Sequence, residues 1–222
     1  HMGSISTTAS ETFMKHNTNR GFEINREVQR GQLKLYKKYG IEVRRASLMT
    51  AFGCNFEGSV APGTAVERLQ EILDIAAEEG TDIEILSLAD TMGWAAPKGI
   101  KEIVGMVRET WPDKRICLHL HDTRGMGVTN VYAGMEMGVD LFDSSVAGLG
   151  GCPFAALKGA AGNVCTEDVV FLCNELGIET GVNLDKLIEV ARLAEDIVGH
   201  PLPGSIMHAG SLTQYRGAIA AE

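Results

Sequence analysis

Apolar and polar positions along this chain follow two periods, and the two periods take turns. In "PGTAVERLQEILDIAAEEG" (62–80), Val66, Leu69, Leu73 and Ala76 recur at helical spacing and form one apolar face. Thr64 with Glu67 reads as a capping box for that helix, and Gly80 as its stop. Further helices are predicted over Phe22–Tyr39, Pro97–Thr110, Gly127–Met137, 165–176 and 183–198. Thr166 and Asn183 start the last two, and Gly177 and Gly199 end them. Short apolar, β-branched runs separate the helices. Strands are predicted at Ile41–Thr50, Ile83–Ala89, Arg115–His121 and Val139–Ser145, with the N-terminal "GSISTTAS" as another.

Repeated βα units imply a parallel sheet, open or closed. No GxGxxG follows a strand and no GxxxxGK[ST] occurs, so the usual nucleotide-fold signatures are missing. Polar residues gather instead where strands end: Asp90, then His119, His121 and Asp122, then Ser144 and Ser145. In a TIM (β/α)8 barrel that is the active-site face. A barrel therefore accounts for the pattern better than a doubly wound sheet. Only about five βα units can be counted, whereas a full barrel takes roughly 250 residues. The expectation is an N-terminally incomplete barrel, forming one domain over residues 1–222.

Composition narrows the function classes. The net charge is -9 and no lysine- and arginine-rich stripe is present, which disfavours nucleic acid as a partner. No apolar run approaches the ~18 residues of a membrane span, so no membrane partner is expected. The five cysteines, at 54, 117, 152, 165 and 173, form no CxxC pair and no even disulfide framework. A reducing compartment, the cytoplasm, fits that usage.

The densest chemistry lies in "ICLHLHDTRGMG" (116–127). On a strand, residues two apart share a face, so His119 and His121 project together. Two core histidines satisfied by hydrogen bonds are one reading. A same-face pair ending a strand before glycines favours the other, a metal site, with Asp122 placed to orient or titrate a ligand. The second segment is "SSVAGLGGCPFAALKGAAGNVCTED" (144–168). Its glycines let the backbone approach a ligand closely and put Cys152 on an accessible loop, unlike Cys117 and Cys173 in apolar runs. Asn163 offers an amide oxygen that can complete a hard-cation site.

With those residues in view the chain resembles the 3-hydroxy-3-methylglutaryl-CoA lyase family. The resemblance rests on "ASETF" (9–13), GC-x-x-EG (53–58), "ADTMG" (89–93), "HLHDT" (119–123), "DSSVAGLGGCPFA" (143–155), GN-x-x-TED (162–168) and "GIETGVNLDKL" (177–187). It implies cleavage of a 3-hydroxy-3-methyl acyl-CoA by retro-Claisen chemistry with a divalent metal, Mg²⁺ or Mn²⁺. By the same resemblance His119, His121 and Asn163 are metal ligands, and Cys152 closes over the substrate. His119 or Cys152 protonates the product enolate, Asp90 and Glu167 support the site, and the protein is a homo-oligomer, a homodimer. A related Claisen-type synthase, a 2-keto acid aldolase and an inactive barrel fragment are the alternatives.

Three departures from the family pattern stand out. The opening-strand Arg-Asp pair is missing, and "HMGSISTTASETF" lines up with about the fourth strand, as if the first three βα units were not in this sequence. Cys152 and Asn163 are eleven apart, two more than the resemblance leads one to expect. Arg44 and Arg45 stand where small or aromatic residues are expected. A carboxylate partner in the pocket and a solvated strand-edge position are both open to them.

Overall fold

The computed structural model describes residues 2–151, 161–213 and 215–216. Five strands form one sheet in the order β1 (Gly3–Thr8), β2 (Val43–Met49), β5 (Ile85–Ala89), β6 (Arg115–His119), β7 (Leu141–Asp143), and every pairing is parallel. Two-residue strands β3 (Gly53–Cys54) and β4 (Gly58–Ser59) make a small antiparallel hairpin beyond β2. Helices α1 (Glu11–Thr18), α2 (Phe22–Lys38), α3 (Pro62–Glu78), α4 (Pro97–Thr110) and α5 (Gly127–Glu136) fill the crossovers. A 3₁₀ turn at Val146–Gly148 follows β7, and α6 (Thr166–Glu175), α7 (Leu184–Val198) and α8 (Ser205–Ala209) complete the described chain. This is the α/β architecture of part of a TIM barrel.

Strand register divides the sheet into two unlike faces. Ile5, Ala46, Leu86 and Ile116 lie side by side, and so do Thr7, Leu48, Leu88 and Leu118. These rows face the helices and pack against Leu33, Leu69, Ile72, Ile100, Val104 and Val131 in one buried core. Each such aliphatic side chain contributes about 1.5–3 kcal/mol by leaving water. The alternate rows face the concave side. There Ser6, Ser47, Ser87 and Cys117 form a polar row, and beyond it Ala89, His119 and Asp143 share a level.

Several boundaries differ from expectation for local reasons. Helix α3 starts at Pro62, whose fixed φ suits a first helical position, and Ala61 caps it without a side-chain bond. Thr64 is thus already inside the first turn, and the Thr64–Glu67 capping box does not form. Asn183 does cap α7, its Oδ1 accepting from the Lys186 N–H at 3.0 Å, and Gly199 closes that helix at φ 79°. Helix α1 was not foreseen: it carries few apolar residues, and Ser10 starts it by accepting from the Phe13 N–H at 3.0 Å.

Candidate active site

Strand β6 ends at His119, two residues earlier than its apolar pattern suggested. The chain nevertheless stays extended because residues 120–122 pair antiparallel with residues 162–164. The Val164 N–H donates to the Leu120 carbonyl and the Asp122 N–H to the Gly162 carbonyl, both at 2.9 Å. His121 therefore stands directly opposite Asn163. The two imidazoles keep the shared face that period-two spacing requires, with ring centroids 5.2 Å apart and planes at 69°.

Both rings have their Nδ1 edge occupied. His119 Nδ1 lies 3.2 Å from Asp143 Oδ2, and His121 Nδ1 lies 2.9 Å from the Asp90 carbonyl oxygen. A carbonyl oxygen only accepts. So does the Asp143 carboxylate, because burial raises its pKa but hydrogen bonds and charge from His119 and Arg45 outweigh that and hold it well below the usual range. In the tautomer that donates from Nδ1 to these acceptors, a neutral ring carries its lone pair on Nε2. Burial also lowers the His121 pKa, which favours the neutral, ligating form.

Asn163 completes the group. Its Nδ2 donates to the Leu149 and Gly150 carbonyls, each at 3.0 Å, which fixes the amide orientation. Its Oδ1 is buried and has no partner. Backbone packing enforces this pose: a Cβ on Gly162 would sit 2.4 Å from the Gly148 carbonyl oxygen. Two Nε2 lone pairs and an unpartnered amide oxygen are the donors a divalent cation takes, the amide suiting a hard ion. Among the described residues no group of three or more His, Cys, Asp or Glu gathers to bind a metal.

The remaining expected residues sit around this group in different ways. Asp90 holds His121 through its backbone carbonyl, while its Oδ1 accepts from the Trp94 and Ala95 N–H groups at 2.6 and 3.0 Å and clamps the following turn. Its Oδ2 is buried without a partner, and burial pushes the carboxyl pKa up to about 6. Glu167 is fully buried behind the glycine-rich turn, where Oε2 accepts from the Ala147 N–H at 3.1 Å. It braces that turn and is not among the groups touching the imidazoles. Asp122 Oδ1 accepts from the Gly127 N–H at 2.6 Å, at the start of α5. Cys152 lies outside the described residues.

One contributor escaped sequence reasoning, and one of two adjacent arginines took the pocket position left open to both. Asp143, inside the "DSSVAGLGG" stretch, had no assigned role. The adjacent arginines part company because successive strand residues face opposite ways. Arg44 faces outward and pairs with Glu42 at 2.8 Å and Glu84 at 3.5 Å. Arg45 faces the concave side, where it forms an ion pair with Asp143 and reaches Ser87 Oγ at 2.7 Å and Cys117 Sγ at 3.2 Å.

Comparison with known proteins matches this geometry to a family. The model of HMGL-like proteins covers residues 4–194. The chain belongs to the HMGL-like family. Hydroxymethylglutaryl-CoA lyase YngG of Bacillus subtilis (strain 168) is 37% identical over 204 residues, which is 88% of this chain and 62% of the relative. The mitochondrial hydroxymethylglutaryl-CoA lyase of Mus musculus is 38% identical over 186 residues, 84% of this chain and 54% of its own length. An HMG-CoA lyase from Acenitobacter baumannii, solved in complex with coenzyme A and 3-methylmalate, superposes with a TM-score of 0.82 at 34% identity, covering 95% of this chain and 66% of that one. The chain thus spans a little over half to about two thirds of these HMGL-like relatives. No helix among the described residues is long and apolar enough to cross a membrane.

Proposed function

We propose that this HMGL-like chain carries the metal-binding half of a carbon-carbon lyase acting on 3-hydroxy-3-methylglutaryl-CoA or a similar 3-hydroxy-3-methyl acyl-CoA. The observation that carries the reading is the antiparallel bridge that sets His121 opposite Asn163, whose buried Oδ1 has no partner, with the His119 ring 5.2 Å from that of His121. We assign His119 Nε2, His121 Nε2 and Asn163 Oδ1 to Mg²⁺ or Mn²⁺. When bound, that ion supplies Lewis acidity and a template for the oxygens of the substrate. The named relatives act on hydroxymethylglutaryl-CoA, and one was solved with coenzyme A, which supports an acyl-CoA as substrate.

The reaction removes the proton of the C3 hydroxyl and breaks the C2–C3 bond. The bonding pair passes to C2 as an acyl-CoA enolate, C3 becomes a ketone, and a proton must return to C2. His119 is a poor donor for that proton. We assign its Nδ1–H to Asp143 and its Nε2 lone pair to the ion. The thiol of Cys152 is the remaining candidate for the acid. Asp90 holds the His121 tautomer, and Glu167 braces the turn that presents Asn163. The free, buried state of Cys54, Cys117, Cys165 and Cys173 supports the cytoplasm as the compartment, where one relative is also found. A homodimer remains part of this proposal.

The test measures acetyl-CoA release from 3-hydroxy-3-methylglutaryl-CoA by the full-length protein with Mn²⁺, alongside Mn²⁺ binding. His119→Ala, His121→Ala and Asn163→Ala should each weaken Mn²⁺ binding and abolish turnover. Wild-type Mn²⁺ affinity in His121→Ala would refute the ligand assignment.

A further inference from the structure

Arg45 is an unusual residue to find on the concave face. It belongs to β2, yet its ion-pair partner Asp143 belongs to β7, three strands away in the sheet order. Asp143 is level in register with His119, whereas Arg45 is level with Ile85, four residues short of Ala89 on the same strand. A tilted, curling sheet brings side chains of such distant strands to a common level, so Arg45 runs across the concavity as a chord. Along it the Nη2 group meets a residue from every strand it passes: Ser87 on β5, Cys117 on β6 and Asp143 on β7. Nη1 reaches the second carboxylate oxygen of Asp143 at 3.2 Å. The contact is therefore two-pronged, which only the planar guanidinium fork can make.

We propose that Arg45 is a positioning residue for the metal site: by gripping both oxygens of Asp143 it aims the carboxylate at His119 Nδ1 and so keeps Nε2 free and directed at the ion. Without Arg45, Asp143 would be a half-buried carboxylate free to rotate about its side-chain torsions, and the His119 tautomer would lose its determinant. Partners of this outer kind govern metal affinity by about 10–100-fold. The inference rests on the ligand assignment above, but one of its readouts needs no metal.

Full-length protein and its Arg45→Met, Arg45→Lys and Asp143→Asn variants are compared by ¹⁵N–¹H NMR of the histidine rings in chelator, and by Mn²⁺ titration followed by electron paramagnetic resonance. Near-ultraviolet circular dichroism confirms that each variant is folded. Arg45→Met should weaken Mn²⁺ about 10–100-fold and turn the single Nδ1–H tautomer of His119 into a mixture, leaving His121 unchanged. Arg45→Lys keeps the charge but not the fork and should fall between. If Arg45→Met does not fold, Arg45→Lys and Asp143→Asn carry the same readout. A wild-type His119 tautomer in these variants, with Mn²⁺ affinity within about twofold of wild type, overturns the proposal. Failure of the metal reading is separate: His119→Ala would then bind Mn²⁺ normally, while the tautomer still decides the role of Arg45.

Discussion

Gly162 is the position where one methyl group should do most harm for its size. A Cβ there would lie 2.4 Å from the Gly148 carbonyl oxygen, 2.8 Å from the Gly150 carbonyl carbon and 2.9 Å from its oxygen. A comfortable carbon–oxygen contact is about 3.3 Å. All three opposing atoms are backbone, so no side chain can rotate away. The chain has two responses to Gly162→Ala. It can absorb the overlap, at roughly 1–3 kcal/mol for overpacking. Or the 148–150 turn can lift, losing the two hydrogen bonds from the Asn163 amide at about 0.5–1.5 kcal/mol each. Both routes arrive at about 1–3 kcal/mol, and both shift Asn163 relative to the histidines. Urea unfolding in chelator should show a lower midpoint with unchanged slope, and Mn²⁺ titration a weaker site. Gly31→Ala is the internal control: the residue is exposed within α2, its added Cβ meets nothing within 4 Å, and the change should stabilise by about 0.5–1 kcal/mol. If Gly162→Ala were as stable as wild type and bound Mn²⁺ equally well, the close packing of 148–150 on 162 would not be what holds the amide.

Other expectations concern single groups. Asn183→Ala should cost about 1 kcal/mol in urea unfolding through loss of the α7 cap, whereas Thr64→Ala, which removes no cap, should have little effect. Burial raises the Glu167 pKa, so its favourable contribution is present below its ordinary value near 4.5 and is lost as pH rises through the raised one. Glu167→Gln should accordingly gain on wild type between pH 4.5 and pH 8 in chelator; a pH-independent difference would mean the carboxyl is not shifted. Cys54, Cys117, Cys165 and Cys173 are buried, and burial pushes the Cys117 thiol up to about 11. Iodoacetamide should therefore modify those four only on unfolding, with Cys152 labelled first in the native protein. Peptide mapping that finds native Cys54 or Cys165 modified first contradicts that order.

What could be read directly was whatever depends on local period. The alternation of strand and helix, the helical stripe of Leu69 and Ala76, and the common face of His119 and His121 all follow from spacing along one element. Even the opposite destinations of Arg44 and Arg45 follow from the pleat, although the pattern does not say which of them faces the concave side. What could not be read depends on partners far away in sequence. Asp143 lies 98 residues from Arg45, and their contact exists only because the sheet curls. The end of β6 was misplaced because residues 120–122 stay extended through pairing with 162–164, a segment with no strand signature of its own. The Thr64–Glu67 box failed because Pro62, two residues earlier, is a stronger start signal than a hydroxyl. The resemblance identified Asp90 as a supporting group. Only the structure shows that its carbonyl, not its carboxylate, touches His121.

The clasp between Gly150 and Asn163 has a consequence for how such proteins diversify. Residues 150 and 163 are joined by the hydrogen bond that the Asn163 amide donates to the Gly150 carbonyl, and 162 packs on 148 and 150, so whatever chain runs between them leaves and returns at nearly one point. A segment closed at its neck can change length at little cost: loop entropy grows only logarithmically, and two extra residues on about eleven amount to roughly 0.1–0.2 kcal/mol. The atoms proposed to hold the ion stay where they are while the intervening stretch changes length. Grafting a stretch of different length between 151 and 161 that keeps Cys152 should leave Mn²⁺ affinity untouched.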